Sequence, residues 1–268
     1  MQRWFLIDDG PSSGAVNMAV DERLLSMVGD KGGEPFLRLY SFDPPAVTIG
    51  YHQDPLKILD VEKLRGDGID LVRRITGGRA LLHEAELTYC VAAPAGSPSF
   101  NGGLQETFIG ISRAIVAALR SIGVKAEIAS GKPGMSSGAM ASPCLVSASR
   151  HEIVCRGRKI AGNAQRRTRT AFIQHGSILL APGSERITSY LRGDWGGLED
   201  LVTSVRAERG AAATGEEMRE AMKASFAEAY GAFFEPFVHG NADREIIASL
   251  ARSKALEFSA VAGGRRNG

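Results

Sequence analysis

Cys144 and Lys159 are the side chains in this chain whose types and spacing best suit covalent chemistry. They lie fifteen residues apart in the stretch CLVSASRHEIVCRGRKIAGNAQRRTRTAFIQHG, which runs from Cys144 to Gly176. A free thiol has a pKa near about 8.5, so only a few per cent is thiolate at neutral pH. A nearby ammonium favours the thiolate, and the same ammonium can hydrogen-bond an acyl oxygen. An activated thiol carrying an acyl group is therefore the first hypothesis. Ser142-Pro143 precede Cys144 at the end of a Gly-, Ser- and Pro-rich segment, 130–143. Such a segment inside a domain is either a functional loop or disordered, and its place before Cys144 favours a mobile active-site loop. Cys90 and Cys155 fall within strand patterns and read as small buried hydrophobes. His83 and His175 are the histidines that could act as base in a Cys–His pair. For His175, a satisfied core histidine is an equal alternative.

A second constellation is Arg73-Arg74-Ile75-Thr76-Gly77-Gly78-Arg79-Ala80. Two glycines after a strand let the backbone approach a ligand closely, and flanking arginines can hold phosphate or carboxylate. An ordinary Arg-rich turn is the plainer reading. No Gly-Lys-Ser/Thr follows at P-loop spacing. Arg150, Arg156, Arg158, Lys159, Arg166, Arg167 and Arg169 crowd into one stretch opposed only by Glu152. They read either as a protected strand edge or as a docking face for an acidic partner.

These residues need a scaffold. The chain has 268 residues, 44% hydrophobic and 23% charged, which suits a globular protein that needs neither disulfides nor metal to fold. The net charge of +2 is too small to argue for nucleic acid. Three cysteines without framework spacing point to a reducing compartment, and three Cys with five His lacking short ligand spacing argue against a zinc site. No apolar run approaches the roughly 18 residues of a membrane span, and the Trp4–Ile7 run is too short for a signal-peptide core. The expected location is the cytoplasm.

The periodicity predicts helices over 15–28, 55–65 and 104–122, the last with Gly123 as its cap. Strands are expected over 36–41, 46–51, 69–75, 80–83, 87–92, 124–129 and 171–180, with a hairpin of 151–155 and 159–166 turning at Arg156-Gly157-Arg158. A capping box at Thr214 and Glu217 starts a helix carrying Met218, Met222, Phe226 and Phe233 on one face, and Asp243 caps the last helix. Strands outnumber helices up to residue 180, so the fold class is α+β: a mixed, largely antiparallel sheet with packed helices. One catalytic domain is expected over 1–258, with a core of 1–182, a helical part over 183–258 and a disordered tail at 259–268.

With these motifs in order, the chain resembles the lipoate–protein ligase and octanoyltransferase group, which shares its catalytic domain with biotin protein ligases. It is most similar to the LipM-type octanoyltransferases. The resemblance runs from about Trp4 to Leu180, two-thirds of the chain. It rests on Asn17-Met18-Ala19-Val20-Asp21-Glu22, Thr48-Ile49-Gly50-Tyr51, the Arg73–Ala80 run with His83-Glu84 and Glu86-Leu87-Thr88-Tyr89, Gly157 to Gln165, and Gln174-His175-Gly176-Ser177. The transferases carry a pattern like Cys-Phe-x-x-Pro-Ser-x-Tyr-Glu. Here Cys144, Ser149 and Glu152 match in register, while Leu145, Ala148 and His151 replace Phe, Pro and Tyr.

The resemblance implies a biotin/lipoate protein ligase-like catalytic domain and a ping-pong octanoyltransferase of lipoate biosynthesis. Cys144 would take octanoyl from octanoyl–acyl carrier protein. The acyl group would pass to the ε-amine of a lysine on a lipoyl domain, that of glycine cleavage H protein or a 2-oxoacid dehydrogenase E2. Lys159 would be its electrostatic partner. Arg73, Thr76, Gly77, Gly78, Arg79 and His83 would line the acyl tunnel and its mouth, with Gly162, Gln165, His175 and Gly176 completing the substrate site. Thioester exchange is near thermoneutral and thioester to amide is downhill, so no ATP, metal or other cofactor is implied. Two other readings stay open: an amidotransferase moving octanoyl or lipoyl between lipoyl domains with the same Cys144 and Lys159, and an ATP-dependent lipoate–protein ligase in which Cys144 is incidental.

Overall fold

The computed structural model describes residues 1–31, 33–129, 152–193, 197, 200–210 and 214–257. Cys144, Arg150 and the proposed tail 259–268 lie outside the described residues. Eight strands form the larger sheet. They are β1 (Gln2–Ser12), β2 (Phe36–Phe42), β6 (Glu86–Pro94), β7 (Ala126–Ile128), β8 (Ile153–Cys155), β9 (Arg158–Arg167), β10 (Ala171–Leu179) and β11 (Ala232–Pro236). Their order is β11-β1-β2-β6-β10-β9-β8-β7, parallel between β11, β1 and β2 and antiparallel elsewhere. A smaller sheet holds β3 (Ala46–Ile49) between β4 (Asp70–Arg73) and β5 (Leu81–His83).

Side chains alternate across a strand, and the larger sheet uses both faces. One face packs Leu37, Leu39, Tyr89, Val91 and Phe172 against α4 (Leu104–Ser121) and α6 (Gly215–Tyr230). The other packs Tyr40, Cys90, Ala92 and Ile173 against α1 (Gly14–Lys31) and α7 (Asn241–Glu257). Central β6 is buried on both faces, which explains its nearly continuous apolar run. The small sheet has its own core of Val47, Ile49, Leu59, Leu64, Leu82 and Tyr190.

Four local expectations are corrected. The N-terminal strand β1 went unread because it buries Trp4 and Ile7 in different cores, three residues apart, with an irregularity between Asp8 and Pro11. The segment 55–65 is two short helices, α2 (Pro55–Ile58) and α3 (Val61–Gly66), because Asp54 and Asp60 each cap one and Leu59 between them is extended. Phe233 is not on α6: Gly231, left-handed at φ 56°, ends that helix, and Phe233 lies in β11 beside β1. The part after residue 183 is therefore not purely helical. Asp243 sits in the first turn of α7, where it accepts from Arg23.

One ionic knot ties the layers together. Asp21 on α1 is fully buried and accepts from Arg38 Nη1 at 2.8 Å, Tyr40 OH at 2.9 Å and His175 Nδ1 at 2.8 Å. Arg38 also reaches Asp9 on β1 and both the backbone and side-chain oxygens of Asn17. Burial alone would raise the Asp21 carboxyl, but the His175 hydrogen bond and the Arg38 charge outweigh it and hold it below its ordinary value of 3.8. A carboxyl depressed in the folded state stabilises the fold fully above 3.8 and loses that contribution as pH falls through the lower folded value. Asp21→Asn leaves Arg38 buried without its main counter-charge. It should cost about 3–5 kcal/mol by urea titration near neutral pH, with the loss shrinking on acidification below 3.8.

Candidate active site

The strand registers bring distant residues into two rows on the α1-facing side of the larger sheet. Arg38, Cys90, His175 and Ala164 form one row; Tyr40, Thr88, Ser177 and Gly162 form the next. Opposite them the small sheet presents Thr48 and His83. Between the layers lies a small cavity, lined among others by Met18, Tyr40, Arg74, Gly78 and Leu81. His83, Gly162, His175, Gly176 and Ser177 also line it.

Both histidines of the cavity are held at both ring nitrogens. His175 has Asp21 on Nδ1 and Thr76 Oγ1 on Nε2 at 2.6 Å. His83 has Glu86 on Nδ1 and Thr48 Oγ1 on Nε2 at 2.8 Å. Glu86 further accepts from Thr88 and Ser177 through the same oxygen. A general base must offer a nitrogen to substrate, and in this arrangement each histidine instead bridges the small-sheet layer to the large one. Thr48 is thereby fixed at the cavity wall, and Thr76 is tied to His175.

The Arg-Arg-Ile-Thr-Gly-Gly turn is built by its own arginines. Arg74 donates to the carbonyls of Thr48, Gly77 and Arg79 and to the Thr48 hydroxyl. Arg73 donates to the carbonyls of Gly50, Tyr51 and Gln53. Gly50 meets the turn so closely that a Cβ there would lie 2.0 Å from the Gly78 carbonyl oxygen. Of this run, Arg74 and Gly78 line the cavity; Arg73, Thr76, Gly77 and Arg79 do not. Gln165 is not brought to it either. It points to the other face, bonding Gln174, which in turn donates to Tyr89 OH.

Lys159 is in β9, as the expected hairpin has it, and the turn is at Arg156-Gly157, with φ of 50° and 77°. Pairing Ile153↔Ala161 beside Val154↔Lys159 leaves one extra residue on β9. Such a bulge re-aims a side chain. It puts Lys159 on the same side as Gly162, where a Cβ on the glycine would lie 3.2 Å from Lys159 Cε and 3.5 Å from Nζ. The ammonium thus lies beside Gly162, which lines the cavity, while Lys159 itself is not among the lining residues. Its side chain is 4% exposed and donates to Glu152 Oε1 at 2.6 Å. The backbone of Lys159 is clamped by Leu201 and Thr203.

The chain leaves the described residues at Ala129 and returns at Glu152, and these two are joined by a backbone hydrogen bond of 2.8 Å. The basic stretch divides instead of forming one face. Arg156 and Arg158 pair with Glu208, while at the far end of β9 Arg166 stacks over Tyr51 and bonds the Ile75 carbonyl. Asp21, Arg38, Thr48, Glu86 and Ser177 were missed as site residues. Only their register, set by pairings across as many as 154 residues, makes them neighbours. Among the described residues no group of three or more His, Cys, Asp or Glu gathers as a metal site.

Residues 13–227 match the family described as lipoyl protein ligase A/B catalytic domain. The chain belongs to that family. It is 39% identical over 250 residues to octanoyltransferase LipM of Kyrpidia tusciae, covering 88% of this chain and 90% of the relative. It is 38% identical over 191 residues to octanoyltransferase LipM of Moorella thermoacetica, covering 71% and 70%. The fold is shared with lipoate-protein ligase A crystallised with ATP (TM-score 0.78, 23% identity, 95% and 96% covered). It is shared too with the bipartite lipoate protein ligase of Thermoplasma acidophilum, studied with its E2 lipoyl domain (TM-score 0.77, 21% identity, 99% and 98% covered).

Burial pushes the Cys90 thiol well up, helped by the neighbouring Asp21 charge, and burial with Glu208 raises Cys155. Neither suits nucleophilic chemistry. In Cys144→Ser protein, iodoacetamide at neutral pH should leave both remaining thiols unlabelled until the fold is melted. Rapid native labelling of Cys90 or Cys155 would contradict their structural assignment.

Proposed function

We propose that the protein is an acyltransferase of lipoate biosynthesis. It moves an octanoyl group from octanoyl–acyl carrier protein to the ε-amine of a lysine on a lipoyl domain. The observation that carries this reading is kinship with octanoyltransferases over most of both chains. The buried ammonium of Lys159 beside cavity-lining Gly162, and a cysteine eight residues before its partner Glu152, support it.

Cys144 is the proposed nucleophile. Its thiolate attacks the donor thioester carbonyl, a C–S bond forms as the carrier's C–S bond breaks, and the carrier thiol leaves with the proton. The neutral lysine amine then attacks the acyl-enzyme. A C–N bond replaces the C–S bond, and a proton of the amine returns to Cys144. Lys159 favours the thiolate and donates to the acyl oxygen as negative charge develops. The cavity between the sheets, lined by Gly162, Gly176 and Gly78 among others, receives the acyl group. His83 positions Thr48 at its wall. The acceptor is a lipoyl domain, that of glycine cleavage H protein or a 2-oxoacid dehydrogenase E2. The bipartite ligase of Thermoplasma acidophilum, which shares the fold, belongs to a lipoylation system together with its E2 lipoyl domain. No helix among the described residues is long and apolar enough to cross a membrane. A cytoplasmic location belongs to the proposal.

Octanoylation of a lipoyl domain should proceed without ATP, read as a mass gain of the acceptor. Cys144→Ser should abolish it, and Lys159→Ala should slow it by about 10²–10³-fold, as expected for loss of an oxyanion donor. Transfer that needs ATP and survives Cys144→Ser would overturn the reading.

A further inference from the structure

The cavity crosses the larger sheet. Gly162, Ser177, Thr88 and Tyr40 are register neighbours on β9, β10, β6 and β2, and all four line it. The row they form is therefore marked off in strand spacings of about 4.8 Å each. Its first member lies beside the Lys159 side chain, where the acyl oxygen is held in the proposed reaction. Its last member, Tyr40, closes the row with a ring. An extended chain of single bonds advances about 1.2 Å per bond, as an extended backbone does. An octanoyl chain then spans about 8–9 Å, close to two strand spacings. Laid along the row from Gly162, its methyl end lies over Thr88 and faces Tyr40.

The walls of this small cavity differ in what they can give. Met18 on α1 and Leu81 on the small sheet line it with apolar side chains held by packing. A methionine stem repacks at little cost. Tyr40 is anchored differently. It is fully buried, its hydroxyl donates to Asp21 at 2.9 Å, and the Arg38 guanidinium lies 3.9 Å from its ring centre. Pushing the ring back would strip a hydrogen bond from a buried carboxylate, which is costly. Thr88 is anchored too, donating to buried Glu86 at 2.6 Å. An entering chain therefore displaces Met18 and Leu81 more readily than the end of the row.

We propose that Tyr40 is a specificity-determining residue: its ring, locked to Asp21, is the stop that sets the length of the acyl chain, with Thr88 as the mark one strand before it. The inference rests on the acyltransferase reading and adds to it what limits the chain. A longer chain meets a wall that is held by charge. A shorter chain leaves the far end of the row uncovered and forfeits the burial of its missing methylenes.

The test reads chain length, which a merely structural role would leave unchanged. Acyl carrier protein charged with hexanoyl, octanoyl or decanoyl is offered with a lipoyl domain, and kcat/KM for each is read from the mass gain of the acceptor. Wild-type protein should prefer octanoyl, with hexanoyl about tenfold poorer for its two missing methylenes. Thr88→Ile puts bulk into the row before the stop and should raise the hexanoyl-to-octanoyl ratio by about tenfold or more. Tyr40→Leu removes the ring and should raise the decanoyl-to-octanoyl ratio by about as much. Ratios within about threefold of wild type in folded Thr88→Ile protein, well short of the two methylenes' worth, overturn the proposal. So does a shift of both variants in the same direction, or a wild-type protein indifferent to length. If Tyr40→Leu does not melt as a folded protein, Thr88→Ile decides alone. A wild-type protein that transfers none of the three chains is a different result: it removes the acyltransferase reading and the Tyr40 proposal with it.

Discussion

A single buried carboxylate, Asp21, organises this molecule. An isolated carboxylate with no solvent contact would be expelled or protonated, so its surroundings must be arranged around it. Arg38 balances the charge, Tyr40 and His175 occupy the remaining hydrogen-bonding directions, and Asn17 and Asp9 hold Arg38 in turn. These residues belong to α1, β1, β2 and β10, so satisfying one charge fixes how four elements meet. Through Thr76 on the far side of His175, the constraint reaches the Gly-rich turn over the cavity. A polar network of this kind stabilises only when every member is satisfied.

The glycine-rich side of the cavity follows a different rule, in which space matters as much as charge. Gly50 lets one loop touch the Gly77-Gly78 turn, Gly176 admits the Gly162 carbonyl oxygen at a distance where a Cβ would collide at 2.3 Å, and Gly162 leaves room for the Lys159 stem. The bulge in β9 turns the lysine toward that space. The knot around Asp21 and the Lys159–Glu152 pair are separate ionic devices. The first builds the container, and the second brings a positive charge beside its Gly162 wall.

Much of this was legible in the residues, and the parts that were not have definite causes. The long helix at 104–121 showed its apolar face at helical spacing, and β6 and β10 showed their runs, because burial of those faces is written in side-chain type. Strand β1 gave no such pattern, since Trp4 and Ile7 serve different cores. Gly231 marked the end of α6, a signal overlooked in favour of Phe233. The glycines and histidines of the site stood out by type, whereas Gln165 and Arg73 stood out equally and point elsewhere. Alternation along β9 would have told Gln165 from its cavity-lining neighbours, but the bulge that places Lys159 exists only in the pairing with β8.

The central claim is that an acyl group resides on one thiol of this chain during transfer. The most direct measurement is peptide-level mass mapping of the protein quenched in acid after mixing with octanoyl–acyl carrier protein. A hydroxylamine-labile octanoyl group on the peptide containing Cys144, and on neither Cys90 nor Cys155, is the predicted result. Competent octanoyl transfer with no octanoyl on any cysteine would contradict it.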